Sequence, residues 1–165
     1  RTSGWSTQGG TFLGYAVARF DLPSSGTGTV YCQSAPNSTG TAARISLSGS
    51  TSVQVDDLVV ACEGLPAFSF GYFLSSLAQG SVQGPGGSQG TLCLGGTVGR
   101  QVGGVILQAG ANGRVATAVH LASLPTPNGP IAGQSGEAWN FQYWYRDANP
   151  MVTSNFSSGI SVLLQ

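Results

Sequence analysis

Apolar and polar residues alternate over short stretches along the whole chain, and clusters of Gly, Pro, Asn and Ser cut off each stretch before a helical period can establish itself. Period-two alternation lets one face of a segment meet a core while the other meets water or a second layer, so the chain is expected to build sheets. Expected strands run from Thr11 to Phe20, Ala42 to Leu47, Asp57 to Cys62, Ser69 to Leu77, Val102 to Gln108, Arg114 to Leu121, Ala138 to Arg146 and Gly159 to Leu164. About 8–9 short strands at this spacing predict an all-β fold, an antiparallel β-sandwich of Greek-key or jelly-roll type. A closed barrel is the alternative, though the strands are uneven and lack repeated corner glycines.

The breaks have their own chemistry. Ala111-Asn112-Gly113 lies between two strand-like runs and predicts a tight hairpin with a type I′ turn, since Asn and Gly both tolerate positive φ. Pro125-Thr126-Pro127-Asn128-Gly129-Pro130 and Gly84-Pro85-Gly86-Gly87-Ser88-Gln89-Gly90 are expected as surface loops within one domain, because strand-like sequence resumes on either side. The second of these lacks the GK[ST] ending of a phosphate loop and opens no helix.

Charged residues make up 7% of the 165 residues, where about 25% is usual, and the polarity is supplied by Ser, Thr, Gln, Asn and 26 Gly. Six basic residues, all Arg, balance six acidic ones. With no basic patch the sequence excludes nucleic acid as an expected partner, and it offers no polybasic attraction to anionic lipid. No apolar run reaches the roughly 20 residues of a membrane helix, so membrane insertion is not expected. Near-zero net charge removes the self-repulsion that keeps monomers apart, which suits self-association into an oligomer or filament. The start at Arg1, with no charged and apolar leader, is the expectation for an exported chain whose signal has been removed.

Chemistry-bearing residues are few. The one imidazole, His120, sits at the end of Val115 to Leu121 with no GxSxG elbow near it, and no nucleophile and base can be assembled around it. Of the carboxylates, Asp56-Asp57 precedes a strand and Asp147-Ala148-Asn149-Pro150 reads as an Asx-type turn, so no pair is assigned to glycoside cleavage. A calcium site at these Asp residues would lack any EF-hand spacing. No catalytic residue, cofactor or metal is expected. Cys32, Cys62 and Cys93 lack CxxC spacing, and one bridge plus one thiol is the natural arithmetic. Cys62, in Leu58-Val59-Val60-Ala61-Cys62, reads as a buried thiol acting as a small hydrophobe.

The stretch from Trp139 to Arg146 places Trp139, Phe141, Tyr143 and Tyr145 on one face and Asn140, Gln142, Trp144 and Arg146 on the other, the pattern of a central strand covered on both sides. Its rings are expected mainly in the core. If one platform for stacking glycans exists, Trp144 with Arg146 and Gln142 is the best candidate. Asn37-Ser38-Thr39 and Asn155-Phe156-Ser157 fit the N-glycosylation sequon, a short and commonly accidental motif.

Tyr31-Cys32, Asn37-Ser38-Thr39-Gly40, Gly71-Tyr72-Phe73-Leu74, Gly86 to Leu94 and Trp139 to Asp147 followed by Thr153-Ser154-Asn155-Phe156 together resemble an uncharacterised family of secreted β-rich domains. The family is abundant in planctomycete-like and myxobacterial proteins, often as a C-terminal module. The likeness runs from about Tyr31 to the end. It implies secretion to the extracellular space or cell surface and a β fold, and it implies no enzymatic activity. Cysteines matching Cys32 and Cys93 recur in the family, which implies that pair as the disulfide. Residues 1–30 lie outside the likeness, so an N-terminal extension followed by a domain over 31–165, in a self-standing protein, is expected.

Two functions follow as expectations. One is a non-catalytic structural subunit of an extracellular surface assembly or filament. The other is a secreted adhesion or carbohydrate-binding module, using Trp139, Trp144 and Tyr145. In the first, Thr11 to Phe20 either forms the first strand of its own sandwich or is donated to a neighbouring copy, with Phe12, Leu13, Tyr15, Val17 and Phe20 as the intersubunit strand.

Overall fold

The computed structural model describes residues 27–101 and 106–165. The fold is all-β and antiparallel. Its strands are β1 (Thr29–Cys32), β2 (Arg44–Ser48), β3 (Val59–Glu63), β4 (Phe70–Ser76), β5 (Ala78–Gln83), β6 (Thr91–Gly95), β7 (Gly99–Gln101), β8 (Leu107–Gln108), β9 (Val115–Ala118), β10 (Ala138–Ala148), β11 (Val152–Phe156) and β12 (Gly159–Leu163). Helical turns among the described residues are confined to two 3-10 pieces, Pro85–Gly87 and Leu121–Ser123.

Seven strands form a large sheet in the order β1-β12-β10-β4-β7, with β11 beside the second half of β10 and β8 beside the start of β4. The 11-residue β10 is the centre of the molecule. One of its edges pairs with β4; the other pairs first with β12, through Ala138 to Phe141, and then with β11, through Trp144 to Ala148. Between those two partners the chain kinks at Ser157, whose Oγ accepts the Tyr143 N–H at 2.9 Å while its own N–H donates to the Tyr143 carbonyl at 2.9 Å. The edge of β10 therefore stays hydrogen-bonded through the kink.

A three-stranded sheet, β2-β3-β9, covers one face of the large sheet. Alternation places Ile45, Leu47, Val60, Cys62 and Val115 inward, against Trp139, Phe141, Tyr143 and Tyr145 from β10 and Phe73 from β4. Each of these five rings takes about 150–250 Å² out of water, a contribution of about 4–6 kcal/mol before conformational entropy is set against it. Phe73 and Tyr143 face each other across the β4–β10 pair, with ring centroids 4.6 Å apart and planes tilted by 53°. The site opposite Tyr145 must be glycine: a Cβ on Gly71 would stand 2.7 Å from the Tyr143 ring.

The hairpin β5–β6 covers the other face. Leu74, Leu94 and Phe156 form a small second core there, with Tyr72, Leu92, Val98 and Trp144 packed at its border. The central strand is thus buried from both sides, as its sequence predicts. Polar bonds fasten the cover: Ser76 Oγ donates to the Gly95 carbonyl at 2.5 Å, and Ser88 Oγ and the Gln89 N–H both reach the Ser154 carbonyl. The Gly84 to Gly90 segment, expected as a surface loop, is the tip of this hairpin, closed by a Gly84 N–H to Gly90 carbonyl bond.

Several expectations need correction. Twelve strands among the described residues replace the 8–9 predicted, because β1, β5, β6, β7 and β11 are not recognisable as strands in the sequence. The Ala111-Asn112-Gly113 turn is not a type I′ hairpin: only Gly113 takes positive φ, at 67°, and the strands it joins, β8 and β9, belong to different sheets. The run Arg114 to Leu121 is a strand only over Val115–Ala118, so His120 stands outside it. Of Val102 to Gln108, only Leu107–Gln108 is a strand among the described residues. The expected strand Thr11 to Phe20 lies outside the described residues, and β1 straddles the expected boundary at residue 30.

Candidate functional site

Cys32 on β1 and Cys93 on β6 form a disulfide, with Cα atoms 6.3 Å apart, that joins an edge of the large sheet to the covering hairpin. Tyr31 Oη donates to the Cys93 carbonyl at 2.8 Å beside it, and burial pushes that phenol up to about 12. Cys62 is a buried free thiol in the main core, and burial raises its pKa. A disulfide is compatible with an extracellular setting, and among the described residues no helix is long and apolar enough to cross a membrane.

Gln142 is not a surface residue. It is fully buried beneath β6, where Oε1 accepts the Cys93 N–H at 2.9 Å and Nε2 donates to the carbonyls of Thr91 and Ser157, both at 2.9 Å. No atom of it is left for a glycan, and the platform residues divide accordingly. Trp139 and Tyr145 are also fully buried, with Trp139 Nε1 held by Glu137 Oε2 at 3.1 Å. Trp144 and Arg146 remain at the surface, and the structure adds two residues that sequence did not single out, Tyr72 and Arg100.

These four form a ladder across the outer face. Tyr72 on β4 pairs with Trp144 on β10, and their rings stack at 4.7 Å with planes 24° apart. The Arg100 guanidinium lies 5.2 Å from the Tyr72 ring centroid, and that of Arg146 lies 5.2 Å from the Trp144 centroid. Beside Tyr72, Trp144 and Arg100 opens a cleft of about 270 Å³, walled also by Leu74, Pro85, Leu92, Val98 and Phe156, with Arg146 outside its lining. Arg100 could have been suspected only by knowing that β7 lies beside β4.

Both sequon asparagines are buried. Asn37 Nδ2 donates to the Gly64 carbonyl at 2.7 Å and to Tyr145 Oη at 3.3 Å, and Asn155 Nδ2 donates to the Pro36 carbonyl at 3.2 Å. Asp147 closes the same region, its carboxylate oxygens accepting the Ser38 N–H at 3.2 Å. His120 is exposed and lies 3.4 Å from Asp56 Oδ2, while Asp56 Oδ1 accepts the Leu121 N–H at 2.5 Å. Among the described residues no group of three or more His, Cys, Asp or Glu is placed to hold a metal.

A second place of interest lies where the two sheets gape. Among the described residues β1 pairs only with β12, and β2 only with β3, so each is an edge strand there. Between them runs a groove of about 370 Å³ lined by Val30, Cys32, Ala42, Ile45 and their neighbours, with Val30 half exposed. Ile45 donates its N–H to Ser158 Oγ at 3.1 Å, away from β3, so the odd-numbered residues of β2 point their main chain outward. Beyond that bond, the Leu47 N–H and the Ile45 and Leu47 carbonyls have no partner among the described residues. Thr27 lies at this end, where its Oγ1 donates to the Gly49 carbonyl at 3.2 Å.

Compared with protein-family models, curated proteins and solved structures, the chain matches nothing. The functional reading therefore rests on the two surface features just described.

Proposed function

We propose that this chain is a non-catalytic structural subunit of an extracellular assembly, in which copies are joined by adding the 11–20 segment of one to the β2 edge of the next. The observation that carries the reading is that the Ile45 carbonyl and the Leu47 N–H and carbonyl, beside the groove lined by Val30, Ala42 and Ile45, have no partner among the described residues. An added strand supplies the missing hydrogen bonds and sets alternate side chains into the groove. Unprotected edges invite uncontrolled pairing, and proteins usually blunt them with charge or proline. Here β2 carries one charge, Arg44, at its far end.

The occupant is the nearest β-rich stretch. Thr-Phe-Leu-Gly-Tyr-Ala-Val-Ala-Arg-Phe, residues 11 to 20, offers Phe12, Leu13, Tyr15, Val17 and Phe20 to a groove. The six residues 21–26 that join it to Thr27 span up to about 20 Å when extended, enough to reach past the subunit's own edge. A donor that leaves its own copy makes a head-to-tail contact, which propagates when the rotation does not close.

Light scattering coupled to size-exclusion chromatography, over a hundredfold concentration range, tests this on the full chain and on a chain lacking residues 1–20. The full chain is expected to grow in mass with concentration, and the truncated one to remain a monomer that binds an added 11–20 peptide. A full chain that stays monomeric throughout would mean that the segment fills its own edge, and would overturn the reading.

A further inference from the structure

The Tyr72/Trp144 cleft lies on the opposite face of the large sheet from β2, so its chemistry is independent of strand addition. Five of the six acidic residues are described, and four are committed elsewhere: Asp56 to Leu121 and His120, Asp57 to the Ser50 N–H, Glu137 to Gln134 and Trp139, and Asp147 to the Ser38 N–H. Among the described residues, no carboxylate lies within 4.0 Å of either Arg100 or Arg146. Arg100, laid over the Tyr72 ring in the wall of the cleft, thus has no counter-charge among the described residues. A guanidinium laid over a ring spends its face on the ring and keeps its N–H edge for an anion, and the stacking fixes the direction of that edge.

The cleft walls are otherwise aliphatic and aromatic. At about 270 Å³ the space is at the small end of ligand sites, which suits one ring-sized group. An acidic peptide would leave main-chain amides unpaired against Leu74, Leu92 and Val98, whereas a pyranose turns a C–H face to such walls and keeps its hydroxyls in water at the rim. We propose that the cleft binds a hexuronate unit of an acidic polysaccharide, its ring against the Tyr72 and Trp144 border and its carboxylate on the guanidinium of Arg100.

Tryptophan fluorescence and calorimetry of the full chain, titrated with oligogalacturonate, test the proposal against the fully methyl-esterified oligomer and against poly-glutamate. Wild type is expected to bind the free acid saturably and neither control measurably. Arg100→Gln, an exposed position in the cleft wall, is expected to weaken binding about tenfold while leaving the unfolding midpoint unchanged, and Arg146→Gln, outside the lining, to leave both unchanged. Four results would each overturn the proposal: no saturable binding of the free acid by wild type, equal binding of the ester, equal binding of poly-glutamate, or full affinity in Arg100→Gln.

Discussion

Gln142 and Cys93 are joined by a side-chain to main-chain hydrogen bond of 2.9 Å, from the Cys93 N–H to Gln142 Oε1, at a point where both residues are buried. The other end of the same amide holds carbonyls on β6 and at the Ser157 kink, so one side chain ties the central strand to its cover and to the junction of β11 and β12.

Replacing Gln142 by Leu keeps the volume and removes all three bonds, leaving the Cys93 N–H and the Thr91 and Ser157 carbonyls buried and short of a partner. Each such loss costs about 1–3 kcal/mol, and relaxation shares part of it, so a destabilisation of about 3 kcal/mol is expected. Urea unfolding followed by circular dichroism measures it. A loss under about 1 kcal/mol would mean that water replaces the amide.

The Cys32 to Cys93 bridge closes a loop with a sequence separation of 61 residues. In the chain-entropy model a loop of that length is worth about 4 kcal/mol. The double variant Cys32→Ser with Cys93→Ser is expected to lose most of that in urea, and a thiol reagent should find no reactive cysteine in the folded wild type, because Cys62 is buried. Labelling of Cys62 without denaturant would contradict its place in the core.

Burial raises the phenols of Tyr31, Tyr143 and Tyr145 above their ordinary value of 10.0, Tyr31 to about 12. The unfolded chain releases these protons near pH 10 while the folded one holds them, so the unfolded state binds fewer protons there and stability falls as pH rises. The unfolding midpoint is expected to be flat with respect to these groups below pH 10 and to drop between pH 10 and 12. Absorbance at the phenolate band should then rise with unfolding rather than before it, and a full tyrosine titration in the still-folded protein would count against the burial.

Secretion through a eukaryotic host offers a test of the two sequons. A glycan on Asn37 or Asn155 would take the Nδ2 that donates to Gly64 or Pro36 and would have to fit where the side chains are almost wholly enclosed. The folded fraction is expected to show no mass shift on amidase treatment. A glycosylated, natively folded product would contradict the packing around either residue.

Strands with apolar residues on one face were legible: the expected segments over β2, β3, β4, β10 and β12 fall where those strands lie. β5, Ala-Gln-Gly-Ser-Val-Gln, was not, because its burial is slight and its pattern is that of a loop. That omission explains the misplacement of Gln142. Alternation assigned it correctly to the face opposite Tyr143, but the cover over that face is a hairpin drawn from residues 78–95, and nothing local to β10 announces it. The same applies to Asn37 and Asn155, whose enclosure depends on Tyr145, Gly64 and Pro36 meeting from distant parts of the chain. Trp144 and Arg146 were visible as a pair on one strand, whereas Tyr72 and Arg100 needed the order of the sheet.

β1 is only four residues long. A pull applied at Thr27 would load β1 in shear against β12, a contact of few hydrogen bonds. The Cys32 to Cys93 bond diverts the load: tension entering at Thr29 crosses covalently to β6, skips the residues between the cysteines, and is delivered to the middle of the molecule through the neighbours of Gln142. β6 places Leu94 in the small core and Leu92 at its border, so a tug strong enough to dislodge it would have to open that core and break the bonds of Gln142 together. β1 is in this sense anchored at the centre of the fold, though it lies at the rim.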